Sequence, residues 1–81
     1  MAKQNLKNQV SYSIKDSGKF IKVNPANNKT SVSIFNIQGA LVKSTFISDV
    51  TIIDYNNLSA GIYSVIIENT NERISQSFIV K

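Results

Sequence analysis

Four carboxylates, Asp49, Asp54, Glu68 and Glu72, together with serine, tyrosine and lysine side chains, are the groups in this chain that could move a proton or attack a substrate. Histidine, cysteine and tryptophan are all missing. The usual general base near neutral pH is therefore absent, as are the thiolate nucleophile and cysteine-ligated zinc. Glycosidase chemistry needs two carboxylates facing each other across a cleft, and nothing in the spacing brings a pair together. Glu72 falls in an expected hairpin tip and Glu68 at a strand end, where both would be solvated. Asp54 precedes Tyr55-Asn56-Asn57 and reads as a turn cap. Asp49 could meet calcium only with backbone oxygens, in a spacing that matches no known ligand loop. These residues predict no catalytic, metal or cofactor site.

The charge is equally uneven. Nine basic residues stand against five acidic ones, for a net charge of +4. Lys3, Lys7, Lys15, Lys19, Lys22 and Lys29 crowd the first third beside Asp16 alone. A basic stretch can hold nucleic acid or an anionic glycan. No aromatic–basic interleaving accompanies this one, so the lysines read as solubilising a linker and guarding an edge strand, and no nucleic-acid partner is expected.

Eighty-one residues have room for one core. Met1 to Asn8 is polar, lacks the apolar stretch of a secretory signal, and reads as the end of a linker inside a longer protein. Residues 1–9 are thus expected to be a lead-in and residues 10–81 a single domain. No apolar run approaches the roughly 18–20 residues of a membrane-spanning helix. Without cysteine, stability is independent of compartment redox state.

Alternation with a period of two marks the strands. Val10, Tyr12 and Ile14 share one face of the first; Asp16-Ser17-Gly18 turns the chain; Ile21 and Val23 share a face of the second. Asn24-Pro25-Ala26-Asn27-Asn28-Lys29 is a loop, because proline cannot donate to a ladder and asparagine tolerates turn geometry. A third strand is expected over 30–37, a tight hairpin at Gln38-Gly39, and a fourth strand over 40–44. The fifth covers 50–54. Gly61 to Glu68 and Arg73 to Val80 make a final hairpin, with Tyr63, Val65 and Ile67 on one face and Ile74, Phe78 and Val80 on the other arm.

Seven short strands with turns every eight to twelve residues predict an all-β, antiparallel, immunoglobulin-like sandwich. The stretch Leu58-Ser59-Ala60-Gly61-Ile62-Tyr63 then has an architectural meaning. Leu58 would plug the core, Ser59 and Ala60 would allow close backbone approach, and Gly61 would take a conformation that a Cβ penalises. Tyr63 would re-enter the core with its hydroxyl bonded to a loop. Tyr12, Phe35, Phe46 and Tyr55 could form a sugar-binding platform if they face outward; otherwise they pack the core or its edges. The sequons at Asn28 and Asn57 act only in a suitable secretory host.

Taken together, "NPANNKTSVSIFNIQGALVKS" and "IDYNNLSAGIYSVIIENTNERISQSFIVK" resemble the C-terminal sorting domains of the type IX (Por) secretion system of Bacteroidetes. The matching pieces are Asn24-Pro25-Ala26, the strand Ile34 to Val42 with Gly39, the corner Leu58, Gly61 and Tyr63, and the terminal strand Ser77 to Lys81. They span residues 23–81. The core pattern is also similar to small immunoglobulin-like secreted or periplasmic proteins of that phylum.

The first resemblance implies a non-catalytic sorting signal that needs no cofactor. It would fold in the periplasm, be read by an outer-membrane translocon, and carry an N-terminal cargo to the cell surface or medium, where a sortase-like peptidase would remove it. Cleavage would fall in or before residues 1–9. Ser77, Phe78, Ile79, Val80 and Lys81 would be the recognition element. Asn24, Pro25, Gly39, Leu58, Gly61 and Tyr63 would maintain the fold that presents it. The second resemblance implies a stand-alone adhesion or ligand-binding module of the envelope, with carbohydrate as one candidate ligand.

Overall fold

Each alternating segment buries its apolar side, and two sheets result. The computed structural model describes residues 9–26 and 28–81. Residues 1–8 of the expected lead-in, and Asn27 of the asparagine loop, lie outside the described residues. The strands are β1 (Ser11–Lys15), β2 (Phe20–Asn24), β3 (Thr30–Asn36), β4 (Leu41–Ile47), β5 (Thr51–Asp54), β6 (Gly61–Glu68) and β7 (Arg73–Val80). One sheet has the order β1-β2-β5 and the other β4-β3-β6-β7, with every pairing antiparallel. This is the all-β, immunoglobulin-like arrangement expected from the sequence.

The core lies between the sheets. Ile21, Val23 and Ile53 enter it from the three-stranded sheet; Val32, Ile34, Val65, Ile67, Phe78 and Val80 enter from the other. Tyr12, Ile14, Leu58 and Ile74 close its margins, partly buried. The period-two faces read in the sequence are thus the faces the sheets bury.

Three turns set the strand positions. In the asparagine loop, Asn24 Oδ1 accepts from Ala26 N at 3.0 Å. Asn28 N reaches Pro25 O at 3.1 Å, and Pro25 is buried. The side chain of Asn24 thereby supplies a turn bond while Pro25 fixes the local backbone. At the β3–β4 hairpin, Asn36 N donates to Ala40 O and Gly39 N to Asn36 O, each at 2.9 Å. Asn36 Oδ1 also accepts from Gln38 N and Ala40 N, so one side chain organises the whole turn. Gly39 closes it with φ +84°, a value that L residues avoid for steric reasons.

The third turn is the corner before β6. Tyr63 is buried and its hydroxyl donates to Ser59 O at 2.8 Å, four residues upstream. That bond is the expected tyrosine corner. Leu58 N donates to Tyr55 O at 3.1 Å and its side chain packs against the core margin. Gly61 has φ +158°, at the limit of the region L residues avoid, and a Cβ there would meet only Tyr63 Cε1 at 3.8 Å. Its requirement is on backbone conformation rather than on space.

The structure extends the fourth strand beyond its expected end at Ser44 to Ile47. Pairing runs from Thr30↔Ile47 to Ile34↔Lys43, then shifts to Phe35↔Leu41. Val42 is therefore the extra residue of a β-bulge. The bulge reverses the in–out alternation inside the strand, so no single period-two pattern covers Leu41 to Ile47.

Candidate recognition edge

The four carboxylates do not gather: Asp54 and Glu72 accept structural hydrogen bonds, while Asp49 and Glu68 stand exposed. Asp54 Oδ1 accepts from Asn56 N at 3.0 Å, the turn cap expected for it. Glu68 is exposed opposite Arg73 across the last hairpin. Asp49 sits in the exposed β4–β5 turn, where its backbone carbonyl accepts from Thr51 Oγ1. Glu72 differs from expectation. It is half-buried, and its Oε2 accepts from Val10 N at 3.1 Å, tying the start of β1 to the start of β7. Among the described residues, no three His, Cys, Asp or Glu side chains gather as a metal site would require.

The four aromatics considered as a sugar platform do not share a surface. Tyr55 is buried, its ring 4.9 Å from that of Phe78 and its hydroxyl donating to Lys15 O at 3.1 Å. Burial, reinforced by the nearby Asp16 carboxylate, pushes the Tyr55 phenol above its ordinary pKa. Tyr12 is half-buried and donates to Gln76 Oε1 at 2.7 Å. Phe35 and Phe46 lie on the outer face of the four-stranded sheet, where Phe46 is 70% exposed beneath the Lys29 ammonium. The Tyr55 role was available in the sequence, since Thr51, Ile53 and Tyr55 continue one inward alternation.

The terminal strand is the best-defined candidate site. β7 is an edge of the four-stranded sheet, paired to β6 without a register break from Gly61↔Val80 to Glu68↔Arg73. Phe78 and Val80 point into the core, while Ser77, Ile79 and Lys81 are exposed. The Phe78 ring is held between Tyr55 and, at 5.9 Å, Tyr63. Among the residues expected to maintain the fold, Gly61 and Tyr63 pair directly with Val80 and Phe78. The corner motif therefore seats the terminal strand, whereas Asn24, Pro25 and Gly39 shape turns elsewhere.

Among the described residues, bonds that each involve a side chain connect β7 and its flanks to β1 and its flanks. Tyr12 to Gln76 and Val10 to Glu72 are two such links, and Lys19 Nζ approaches Lys81 O at 3.4 Å. Lys19 itself adopts φ +54° at the β1–β2 turn. Neither Gln76 nor Glu72 carries a sequence pattern that announces these cross-sandwich bonds.

Fold and edge together define a class: a small all-β sandwich module that offers a long terminal strand at its margin. Residues 5–81 match the family described as the secretion system C-terminal sorting domain, and the chain belongs to that family. The match takes in β1 and β2 as well as the 23–81 span whose motifs carry the resemblance. The family serves type IX secretion as a sorting signal, and its members are not catalysts. Proteins bearing it are exported to the cell surface or beyond. No curated protein matches the chain.

Proposed function

We propose that this domain is the address by which an N-terminal cargo passes through the type IX system. It folds in the periplasm, engages the outer-membrane translocon, and performs no chemistry itself. A sortase-like peptidase then separates it from the cargo in or before residues 1–9. The family match over nearly the whole chain carries this reading. The structure adds a rigid frame: Phe78 and Val80 anchor the last strand in the core, so Ser77, Ile79 and Lys81 are displayed in fixed positions. Extended peptides at sheet edges are a recurrent recognition element.

The test is an export assay. Residues 1–81 are fused behind a signal peptide and a fluorescent reporter that folds in the periplasm. The fusion is expressed in a type IX-competent bacterium and in its translocon-deficient counterpart. The expected outcome is reporter at the surface or in the medium of the competent strain alone. Reporter held in the periplasm of both strains, with the domain folded, would overturn the sorting role and favour an envelope binding module.

A further inference from the structure

Among the described residues, the register identifies which main-chain groups of β7 have no partner strand. Asn36 N donates to Ala40 O, so the backbone groups of Asn36, Ile34 and Val32 face β4, and those of Phe35, Ser33 and Ser31 face β6. Their partners on β6 are Ser64, Ile66 and Glu68. Tyr63, Val65 and Ile67 are left to bond Phe78, Gln76 and Ile74 of β7. The bond from Asn69 N to Glu72 O, 3.0 Å long in the last hairpin, gives the same alternation from the other end. By elimination, the N–H and C=O groups of Arg73, Ser75, Ser77 and Ile79 point away from the sheet.

The other three edges are guarded against strand addition. β1 has five residues and β5 four, and β4 carries the Val42 bulge with Lys43 beside it. Short strands, bulges and edge lysines are the usual protections. β7 has none of these between its ends: eight residues in unbroken register, no proline, and no charge from Ile74 to Val80.

From this we propose that β7 receives an added strand, an extended segment of an outer-membrane partner that pairs through its main chain and widens the sheet to five strands. The proposal rests on the sorting role and names its contact. Arg73 and Lys81 bracket the open edge, so the fitting segment is uncharged in its middle and acidic or neutral at its ends. A second copy of this chain fits less well. Both copies would carry +4, and two-fold antiparallel pairing centred on Ser77 would set Arg73 opposite Lys81 across the axis.

Proline distinguishes main-chain pairing from side-chain contact, because it removes an N–H. Ser77→Pro deletes a donor that β6 does not use. Ser44→Pro does the same on β4, since Ser44 pairs with Ser33, whose main-chain groups face β6. In the export assay, Ser77→Pro should reduce surface reporter to the translocon-deficient level, while Ser44→Pro should retain wild-type export. Equal export of both variants, or equal loss with both folded, overturns the proposal. So does a solution dimer that Ser77→Pro dissociates, because the edge then belongs to a second copy.

If Ser77→Pro does not fold, amide exchange on the wild-type chain decides. Arg73, Ser75, Ser77 and Ile79 should exchange more slowly with outer-membrane vesicles from the competent strain than with vesicles lacking the translocon. Unchanged exchange at those four amides overturns the proposal. Failure of the wild-type fusion to leave the periplasm instead removes the sorting role itself; export of wild type and Ser77→Pro alike removes strand addition alone.

Discussion

β4 and β7 are the two edges of one sheet, similar in length and opposite in treatment. On β4 only Ile47 is buried, Phe46 stands 70% exposed, and a bulge at Val42 breaks the register. On β7 the register is continuous, and Phe78, held between Tyr55 and Tyr63, is built into the core together with Val80. Topology makes both strands edges, but the sequence decides what an edge can do. A bulged strand with few buried side chains resists pairing and is itself loosely held. A straight strand pinned by aromatic packing can expose its backbone and remain in place. The β7 arrangement suits the strand addition proposed for it.

The comparison is sharpest in stability. Phe78→Ala removes two aromatic contacts and leaves a cavity, so it should cost about 3–5 kcal/mol in denaturant unfolding. Phe46→Ala, on the opposite edge, should stay within about 0.5 kcal/mol of wild type. Equal effects would break the distinction between a pinned edge and a loose one.

The turns that deliver the two strands give the next largest effects. Gly61→Val strains the backbone that pairs with Val80 and should cost about 1–3 kcal/mol in thermal or denaturant unfolding. Gly39→Ala should cost about 1–2 kcal/mol at the turn entering β4. The site is open, with nothing within 4 Å of the added methyl, so its φ of +84° is the whole cause. Tyr63→Phe removes the hydroxyl bond to Ser59 O and should cost about 1 kcal/mol.

The smallest effect is a pH dependence. Folding raises the Tyr55 pKa above the ordinary 10.0, chiefly by burial, so the native state holds its proton more tightly than the unfolded chain. The resulting stability is present below the unfolded pKa and disappears as pH rises through it toward the folded value. As pH rises through 10.0 toward the raised folded value, wild-type stability should therefore fall more steeply than that of Tyr55→Phe. Parallel curves would show that the phenol is not insulated by its packing beside Phe78.

Much of this design is legible without coordinates. Alternation in Thr30–Asn36, Gly61–Glu68 and Arg73–Val80 announces the strands and their buried faces, because a half-buried strand repeats every two residues. The corner residues Leu58, Gly61 and Tyr63 announce the crossing that seats β7. The later part of β4 was hidden because the bulge puts Leu41 and Phe46, five residues apart, on the same outer face. The sequence leaves Tyr55 open between an outward platform and the core, and the inward alternation of Thr51 and Ile53 before it is the signal that places it inside. The contacts from Val10, Tyr12 and Lys19 to β7 span more than sixty residues of sequence. Only the stacking of the two sheets brings them together, and no local pattern encodes that.

The most direct test of the account is to ask which edge touches the export machinery. A photoreactive amino acid is placed at Ser77 in one fusion and at Ser44 in another, and cells are irradiated during export. The account predicts a crosslinked adduct with an outer-membrane protein from Ser77, dependent on the translocon, and none from Ser44. Adducts of equal yield from both positions, or from Ser44 alone, would contradict it.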